Sequence, residues 1–302
     1  MDLVWIPIAV AAGFFQAVRT AAQKAVNAHL STWMTTYVRS LWGLPFLIAY
    51  LAIVVSVEGA DVPTVPVVYW LHVAGCALTQ VLATWVLIRL FQRSNFAVGT
   101  ILTKTDVMQA ALIGSLLFSE TISVNGAFAI LLSVLGVLLV SGRQAQGAFQ
   151  RLSIWQALSS VSTGLGLLTG FLFCLSYLFL REAALVMPEG SGAYRGAWTV
   201  VAVTSLQAVG LGLYLAVREP NQFYPMLRQW RPCAFIGLTS AAGSIGWFTA
   251  MAMQNASYVK AVGQTEVIFT ILISTFYFRE TISPREYVGI AAIVASVVIL
   301  AF

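Results

Sequence analysis

Charged residues are scarce in this sequence. Only 9% of its 302 residues are Asp, Glu, Lys or Arg, whereas a soluble globular domain carries roughly 25%. Together with the 59% of hydrophobic residues, this scarcity excludes a soluble fold and indicates an integral membrane protein. The net charge of +5 comes from basic residues in short loops between apolar runs, so we interpret it as a topology signal and not as a nucleic-acid-binding surface.

Cysteine and histidine are too few and too scattered for the common metal or redox sites. Cys76, Cys174 and Cys233 lie far apart, each inside an apolar run, which favours packing over a disulfide or metal framework. His29 and His72 stand alone near the ends of apolar runs, and the sequence has no His-Glu-x-x-His, P-loop, dinucleotide-binding or Cys-x-x-Cys motif. We therefore expect no metal, no cofactor and no enzyme active site.

One stretch of the sequence occurs twice. Residues 103–123 read TKTDVMQAALIGSLLFSETIS, and residues 263–283 read GQTEVIFTILISTFYFRETIS in the same register, 160 positions later. Each copy places one carboxylate, Asp106 or Glu266, deep in an apolar segment. Such an internal repeat predicts a chain built from two related units.

Other residues repeat outside this stretch, and they extend the repeat over the whole chain. At a slightly smaller offset, Arg39-Ser-Leu-Trp42 aligns with Arg195-Gly-Ala-Trp198. We predict a first five-helix repeat at residues 1–141, a connecting loop at residues 142–153 and a second five-helix repeat at residues 154–302.

Ten apolar runs are long enough to cross a bilayer, which takes about 20 residues of helix. In lipid such runs are helical, because a helix satisfies its own backbone polar groups. The predicted fold class is an all-α integral membrane protein with ten transmembrane helices. Since five is an odd number, the two halves enter the membrane from opposite sides, as inverted repeats do. The ten runs are residues 3–25, 34–57, 67–90, 96–118, 124–141, 155–179, 195–217, 233–253, 258–278 and 284–302.

Basic residues concentrate in the loops on one side of this arrangement. Arg89 and Arg228 belong to that side, whereas Arg181 and acidic residues such as Glu58 lie on the other, for which Lys260 is a further candidate. The positive-inside rule makes the basic side cytoplasmic and leaves both termini outside. We expect the protein in the bacterial cytoplasmic (inner) membrane.

Asp106 and Glu266 are the main candidates for function. A charged side chain at mid-span costs about 2.5–3.5 kcal/mol, and this sequence carries one at both repeat-related positions. We predict that they bind a proton or a substrate amine. The alternative is a structural ion pair with Lys104, Arg19 or Arg39. Lys104 and Asp106 lie two residues apart and leave a helix in different directions, so each needs a partner on another helix or on a ligand.

Further candidates surround the two carboxylates. Gln16 and Arg19 belong to a polar stripe on the first helix, which indicates a face turned to the interior. Arg39 and Lys104 can present cations to a substrate carboxylate. For Trp42 and Trp198, pocket lining competes with belt or core packing. The predicted site comprises Asp106, Glu266, Lys104, Arg39, Arg19, Gln16, Gln264, Trp42 and Trp198.

Three other features receive structural interpretations. Arg195 is expected to extend to the membrane interface. Glu120 and Glu280, each followed by Thr-Ile-Ser, are assigned to tight helix–helix junctions. Gly166 and Gly170 form a GxxxG motif, for which close helix packing is the first interpretation and a gating hinge the second.

The chain resembles the ten-helix EamA-type branch of the drug/metabolite transporter superfamily. The resemblance rests on three features: two tandem five-helix halves, an Arg early in the second helix of each, and a short Glu-containing junction between the fourth and fifth helices. The resemblance covers essentially the whole chain. It implies a secondary transporter with a central cavity between the halves, lined by Asp106 and Glu266. The common family pattern has Pro after the acidic position, whereas Val107 and Val267 follow here.

The sequence therefore predicts a secondary active exporter of a small polar metabolite such as an amino acid, with alternating access around a midplane cavity. Proton coupling is a further expectation, and the protein is expected to act as a monomer or homodimer. Two alternatives stay open: a membrane-embedded enzyme acting on a lipid-linked substrate, and a passive channel.

Overall fold

The computed structural model describes residues 3–27, 29–59, 61–91, 103–149, 161–187, 190–269, 271–272 and 284–301. These residues form eleven α-helices and one short 3-10 turn at Pro220–Gln222, and none of them lies in a strand. The helices are α1 Trp5–Val26, α2 Thr32–Glu58, α3 Val67–Phe91, α4 Asp106–Leu117, α5 Val124–Phe149, α6 Val161–Val186, α7 Gly192–Arg218, α8 Phe223–Arg228, α9 Trp230–Met253, α10 Ala256–Gly263 and α11 Pro284–Ala301.

Seven of the described helices are long and apolar enough to cross a membrane, namely α1, α2, α3, α6, α7, α9 and α11. Helix α4 and the Val124–Val140 part of α5 are shorter apolar helices. The protein is therefore an all-helical integral membrane protein. The count of ten spans stays a prediction, because the predicted spans 96–118 and 258–278 lie partly outside the described residues. Helix α5 continues to Phe149, into the segment predicted to connect the halves.

The two halves share one core. The most extensive helix contacts join α3 to α6, α5 to α11 and α1 to α9, and each of these pairs combines one helix from each half. Large apolar side chains such as Val57, Leu116 and Val217 point outward, as lipid-facing residues do. Neither half is packed as a separate body, so residues of one half are held directly against residues of the other.

The helical path is interrupted just before each of the two repeated carboxylates. Residues 104 and 105 form a turn between Thr103 and the start of α4 at Asp106. At the equivalent place, Gln264 and Thr265 separate α10 from the helical residues that begin at Glu266. The second turn is of 3-10 type, since the Thr265 N–H donates to the Val262 carbonyl at 3.1 Å. We call residues 103–106 and 263–266 the two interruptions.

The sequence analysis treated each of these segments as one apolar run and did not predict the interruptions. No proline marks them in this chain, so the sequence carried no ordinary break signal. Mid-helix turns of 3-10 type are frequent at functional hinges. The first interruption places Asp106 in the first turn of α4, where the helix dipole favours a negative charge.

A glycine from the opposite half packs over each interruption. A Cβ atom on Gly13 of α1 would lie 3.3 Å from the Gly263 carbonyl oxygen. A Cβ atom on Gly170 of α6 would lie 3.2 Å from the Thr103 carbonyl oxygen. Both distances are tighter than most Cβ contacts, so a larger residue at either position would push the neighbouring backbone away. The GxxxG motif of α6 thus serves close packing at Gly170.

Gly170→Val is expected to lower the apparent Tm in detergent by several degrees, because overpacking a tight contact costs about 1–3 kcal/mol. Gly164→Val is the matched control, since a Cβ atom at Gly164 of the same helix meets nothing within 4 Å. Thermal unfolding of the two purified variants checks the prediction. An equal Tm for both would show that the close approach at Gly170 does not matter.

Candidate functional site

Two ion pairs cross between the halves at the interruptions. Lys104 Nζ lies 3.1 Å from Glu266 Oε2, and Lys260 Nζ lies 3.5 Å from Asp106 Oδ2. In each pair, the carboxylate at one interruption meets a lysine of the other half. The Lys104–Glu266 pair is one of the structural ion pairs that the sequence analysis left open, whereas the partner of Asp106, Lys260, was not among those it named.

Lys260 was not among the predicted site residues, since the sequence analysis considered it only as a charge on the side opposite the basic loops. It is buried in α10 and packs between two aromatic rings as well as against Asp106. Its Nζ atom lies 4.4 Å from the ring centre of Tyr177 and 4.7 Å from that of Trp247. Cation–π contacts of this kind partly replace the water that the ammonium group loses on burial.

The two ion pairs differ in their access to solvent. The side chains of Lys260 and Asp106 are 7% and 6% exposed, whereas those of Lys104 and Glu266 are 24% and 12% exposed. The Lys104–Glu266 pair is therefore the more exposed of the two. Asp106 Oδ1 is buried and has no hydrogen-bond partner among the described residues, so Asp106 keeps one free acceptor.

The polar stripe of α1 contacts the Lys104–Glu266 pair. The Gln16 side chain donates to Glu266 Oε2 at 2.9 Å and accepts from the Trp247 indole N–H at 2.9 Å. Arg19 is close enough for its charge to interact with Glu266. Gln264 donates to the Lys104 backbone carbonyl at 3.4 Å, which ties the two interruptions together.

Arg39 lies in a second polar cluster, formed by α2, α3 and α7. Its Nη2 atom donates to Gln80 Oε1 at 3.0 Å and to Gln207 Oε1 at 3.1 Å. Ser40 Oγ also donates to Gln207 Oε1 at 3.1 Å, and Gln207 Nε2 donates to Gln80 Oε1 at 2.9 Å. The ion pairs among the described residues do not include Arg39.

The remaining predicted residues have packing roles. Trp42 packs against a cluster of buried apolar residues that includes Tyr37 and Ile236. Trp198 makes an edge-to-face contact with Tyr194, with ring centres 6.3 Å apart. These contacts fit core packing, the alternative left open for both tryptophans. Arg195 donates to the Ala252 carbonyl at 3.4 Å, so it contacts the end of α9 and is not simply extended to the interface.

The first Glu-Thr-Ile-Ser sequence forms a junction that also joins the two halves. Glu120 lies between α4 and α5, and its carboxylate accepts from the Ala256 backbone N–H at 3.0 Å. Glu120 thereby caps the N-terminus of α10, and it pairs with Arg181 Nε at 3.1 Å. Arg181 in turn donates to the Met251 carbonyl at 2.9 Å. The second copy, with Glu280, lies outside the described residues.

Glu120→Gln is expected to lower the free energy of unfolding by on the order of 3 kcal/mol, because it leaves the half-buried Arg181 without its anion. Glu182→Gln is the control, since it removes a neighbouring carboxylate that forms none of the described ion pairs. Equilibrium unfolding in mixed micelles compares the two variants with the wild type. If they are equally stable, the junction does not depend on the Glu120–Arg181 pair.

The sequence analysis missed Lys260, Gln80 and Gln207 as site residues, and it considered Trp247 only as one of several aromatic residues that could line a pocket or pack in the core. For Lys260 a signal existed, because a charged residue inside an apolar run is by itself a site candidate. Gln80 and Gln207 are also polar residues inside apolar runs, but an uncharged side chain is a weaker signal than a charged one. The hydrogen bond from Trp247 to Gln16 joins residues 231 positions apart and has no local sequence signature.

One family model and one solved structure match nearly the whole chain. The family model for the EamA-like transporter family matches residues 3–142 and 162–302, so both halves are covered. A solved structure titled "Crystal structure of protein" is 13% identical over 99% of this chain and 98% of that chain, with a TM-score of 0.72. At this identity, the likeness shows the fold alone. No curated protein matches the chain.

Proposed function

The chain belongs to the EamA-like transporter family, a family of membrane transporters of small solutes, and from this membership we propose that it is a secondary active exporter of a small polar metabolite such as an amino acid. One observation supports the proposal most strongly. Each interruption carries a carboxylate that pairs with a lysine of the opposite half. When inverted halves rock to alternate access, pairs of this kind break and form again.

Glu266 is the proposed site of exchange between proton and solute. A substrate amine binds the Glu266 carboxylate at the position that the Lys104 ammonium group occupies in this structure. A proton and an amine compete for the same oxygen atoms, because a protonated carboxyl no longer attracts a cation. A proton that enters from outside protonates Glu266 and releases the solute to the outside. This competition couples export to the proton gradient.

Asp106 is proposed to hold the other interruption in place through Lys260. This pair is more deeply buried than the Lys104–Glu266 pair, and Asp106 keeps one free acceptor atom for a proton. Arg19, Gln16 and Gln264 are proposed to line the path to Glu266. The cavity is proposed to lie at the membrane midplane of the bacterial cytoplasmic membrane, and the protein to act as a monomer or homodimer.

Flux measurements in proteoliposomes test the proposal. Labelled amino acids and other small metabolites are loaded, and efflux is followed with and without an inward proton gradient. We expect saturable efflux of at least one solute, accelerated by the gradient. Flux that does not saturate would indicate a channel, and turnover of a lipid substrate in detergent would indicate an enzyme.

A further inference from the structure

Trp247 of α9 lies between the two ion pairs and contacts both of them. The residue is 7% exposed, and its indole N–H donates to the Gln16 side-chain oxygen at 2.9 Å. Its ring meets Lys260 of the more buried pair, with Nζ 4.7 Å from the ring centre. Gly263 in the second interruption leaves room for the ring, because a Cβ atom there would overlap it. The indole group is therefore held in one place, against the interruption that carries Glu266.

The chemistry of the indole group fixes the orientation of the Gln16 amide. An indole N–H is a donor and never an acceptor, so it takes the amide oxygen of Gln16. The amide NH2 group then points the other way, and it donates to Glu266 Oε2 at 2.9 Å. With the amide turned over, an N–H group would face the indole N–H and that hydrogen bond would be lost. Gln16 thus meets Glu266 as a donor only.

A donor in this position distinguishes the two protonation states of Glu266. The ionised carboxylate accepts a charge-assisted hydrogen bond from Gln16, about twice as strong as a bond between neutral groups. A protonated carboxyl accepts the same bond more weakly, and the NH2 group of Gln16 offers no acceptor for its O–H. The orientation of one neutral amide therefore favours the anion over the protonated form.

Other charged and titratable groups also act on Glu266. Lys104 contacts the same oxygen atom at 3.1 Å, and the charges of Lys260 and Arg19 act on it from α10 and α1. The Tyr177 hydroxyl group of α6 is close enough to interact with it electrostatically. A substitution that removes only the indole N–H keeps all of these groups, so it isolates the part played by the amide.

We propose that Trp247 is a positioning residue for proton exchange at Glu266, because it orients the Gln16 amide to stabilise the anion and not the protonated carboxyl. The anion is the form that binds a substrate amine, so the same orientation favours the solute over the proton. The inference rests on the proposed exchange of proton and solute at Glu266, and it adds the residues that set the balance between the two.

Infrared spectroscopy of the detergent-solubilised protein tests the proposal without any transport. The C=O stretching band of protonated carboxyl groups is recorded against pH, and the part due to Glu266 is the part that disappears in the matching Glu266→Gln variant. Trp247→Phe keeps a ring against Lys260 but frees the Gln16 amide to turn and accept from the protonated carboxyl. We expect the midpoint of the Glu266 band to rise by about one pH unit, a tenfold tighter hold on the proton.

Trp85→Phe is the matched control. The Trp85 ring also contacts a cation, with the Arg89 guanidinium 4.9 Å from the ring centre. Its indole N–H is buried and has no hydrogen-bond partner among the described residues. We expect this variant to titrate like the wild type. An equal shift in Trp85→Phe would show that the loss of any indole group moves the midpoint, and it would overturn the proposal.

Gln16→Met shows whether the effect passes through the amide. Alone, it is expected to raise the Glu266 midpoint by about one pH unit, since the carboxylate loses this donor. Trp247→Phe is expected to add nothing in this background. A further shift there would assign the effect to the weakened contact with Lys260. An unchanged midpoint in Gln16→Met contradicts the proposal by itself, whether or not Trp247→Phe folds.

The outcomes separate this inference from the proposed function. An unchanged midpoint in Trp247→Phe contradicts the positioning role and leaves proton exchange at Glu266 intact. A titration in which no band depends on Glu266 refutes the proton site and this inference together. A shifted midpoint combined with efflux that ignores the proton gradient retains the positioning role and refutes proton-coupled export.

Discussion

Asp106→Asn is expected to cost about 3–5 kcal/mol of unfolding free energy, because it leaves Lys260 as a buried cation without its anion. Both side chains are less than a tenth exposed, so water cannot replace the lost partner. The cation–π contacts with Tyr177 and Trp247 remain and offset only part of the loss. Unfolding by denaturant in mixed micelles measures the change.

The double variant Asp106→Asn with Lys260→Met is the control for this prediction. Removing both charges leaves no unpaired ion at this position. We therefore expect the double variant to regain most of the stability lost in the single variant. If the single variant is as stable as the wild type, or if the second substitution adds a further loss, the pair does not hold the first interruption together.

Glu266→Gln is expected to reduce transport by more than tenfold while costing less stability than Asp106→Asn. The amide still accepts a hydrogen bond, as Glu266 does from Gln16, but it neither binds a proton nor attracts an amine. Lys104 is 24% exposed and remains partly solvated when its partner is lost. Initial rates of efflux and the free energy of unfolding are measured on the same preparation.

Asp61→Asn is the matched control, since it removes the same charge from an exposed position between α2 and α3. It is expected to transport at the wild-type rate. A Glu266→Gln variant that transports as fast as Asp61→Asn would contradict the role of Glu266 and leave it a structural partner of Lys104.

The sequence predicted the helical membrane fold because apolar runs of this length have few alternatives in lipid. It also singled out Asp106 and Glu266, since the repeat places them at the same register. It did not predict that Lys260 pairs with Asp106, because that contact joins the two halves and depends on how they interlock.

The interruptions could not be predicted for a different reason. Residues 103–106 and 263–266 lack proline, and the turns depend on contacts made elsewhere. Gly13 and Gly170 pack against them from the opposite half. A glycine in a membrane helix indicates close packing, but the sequence does not say which backbone approaches it.

Proton-driven export is the central claim, and it is tested most directly with the solute identified in the flux panel. Wild-type and Glu266→Gln proteoliposomes are loaded with the labelled solute, and an inward proton gradient is imposed. The account predicts that the gradient accelerates efflux from wild-type vesicles and has no effect on the residual efflux from the variant. Equal acceleration in both would contradict the claim, because proton movement would then be coupled to solute efflux without Glu266.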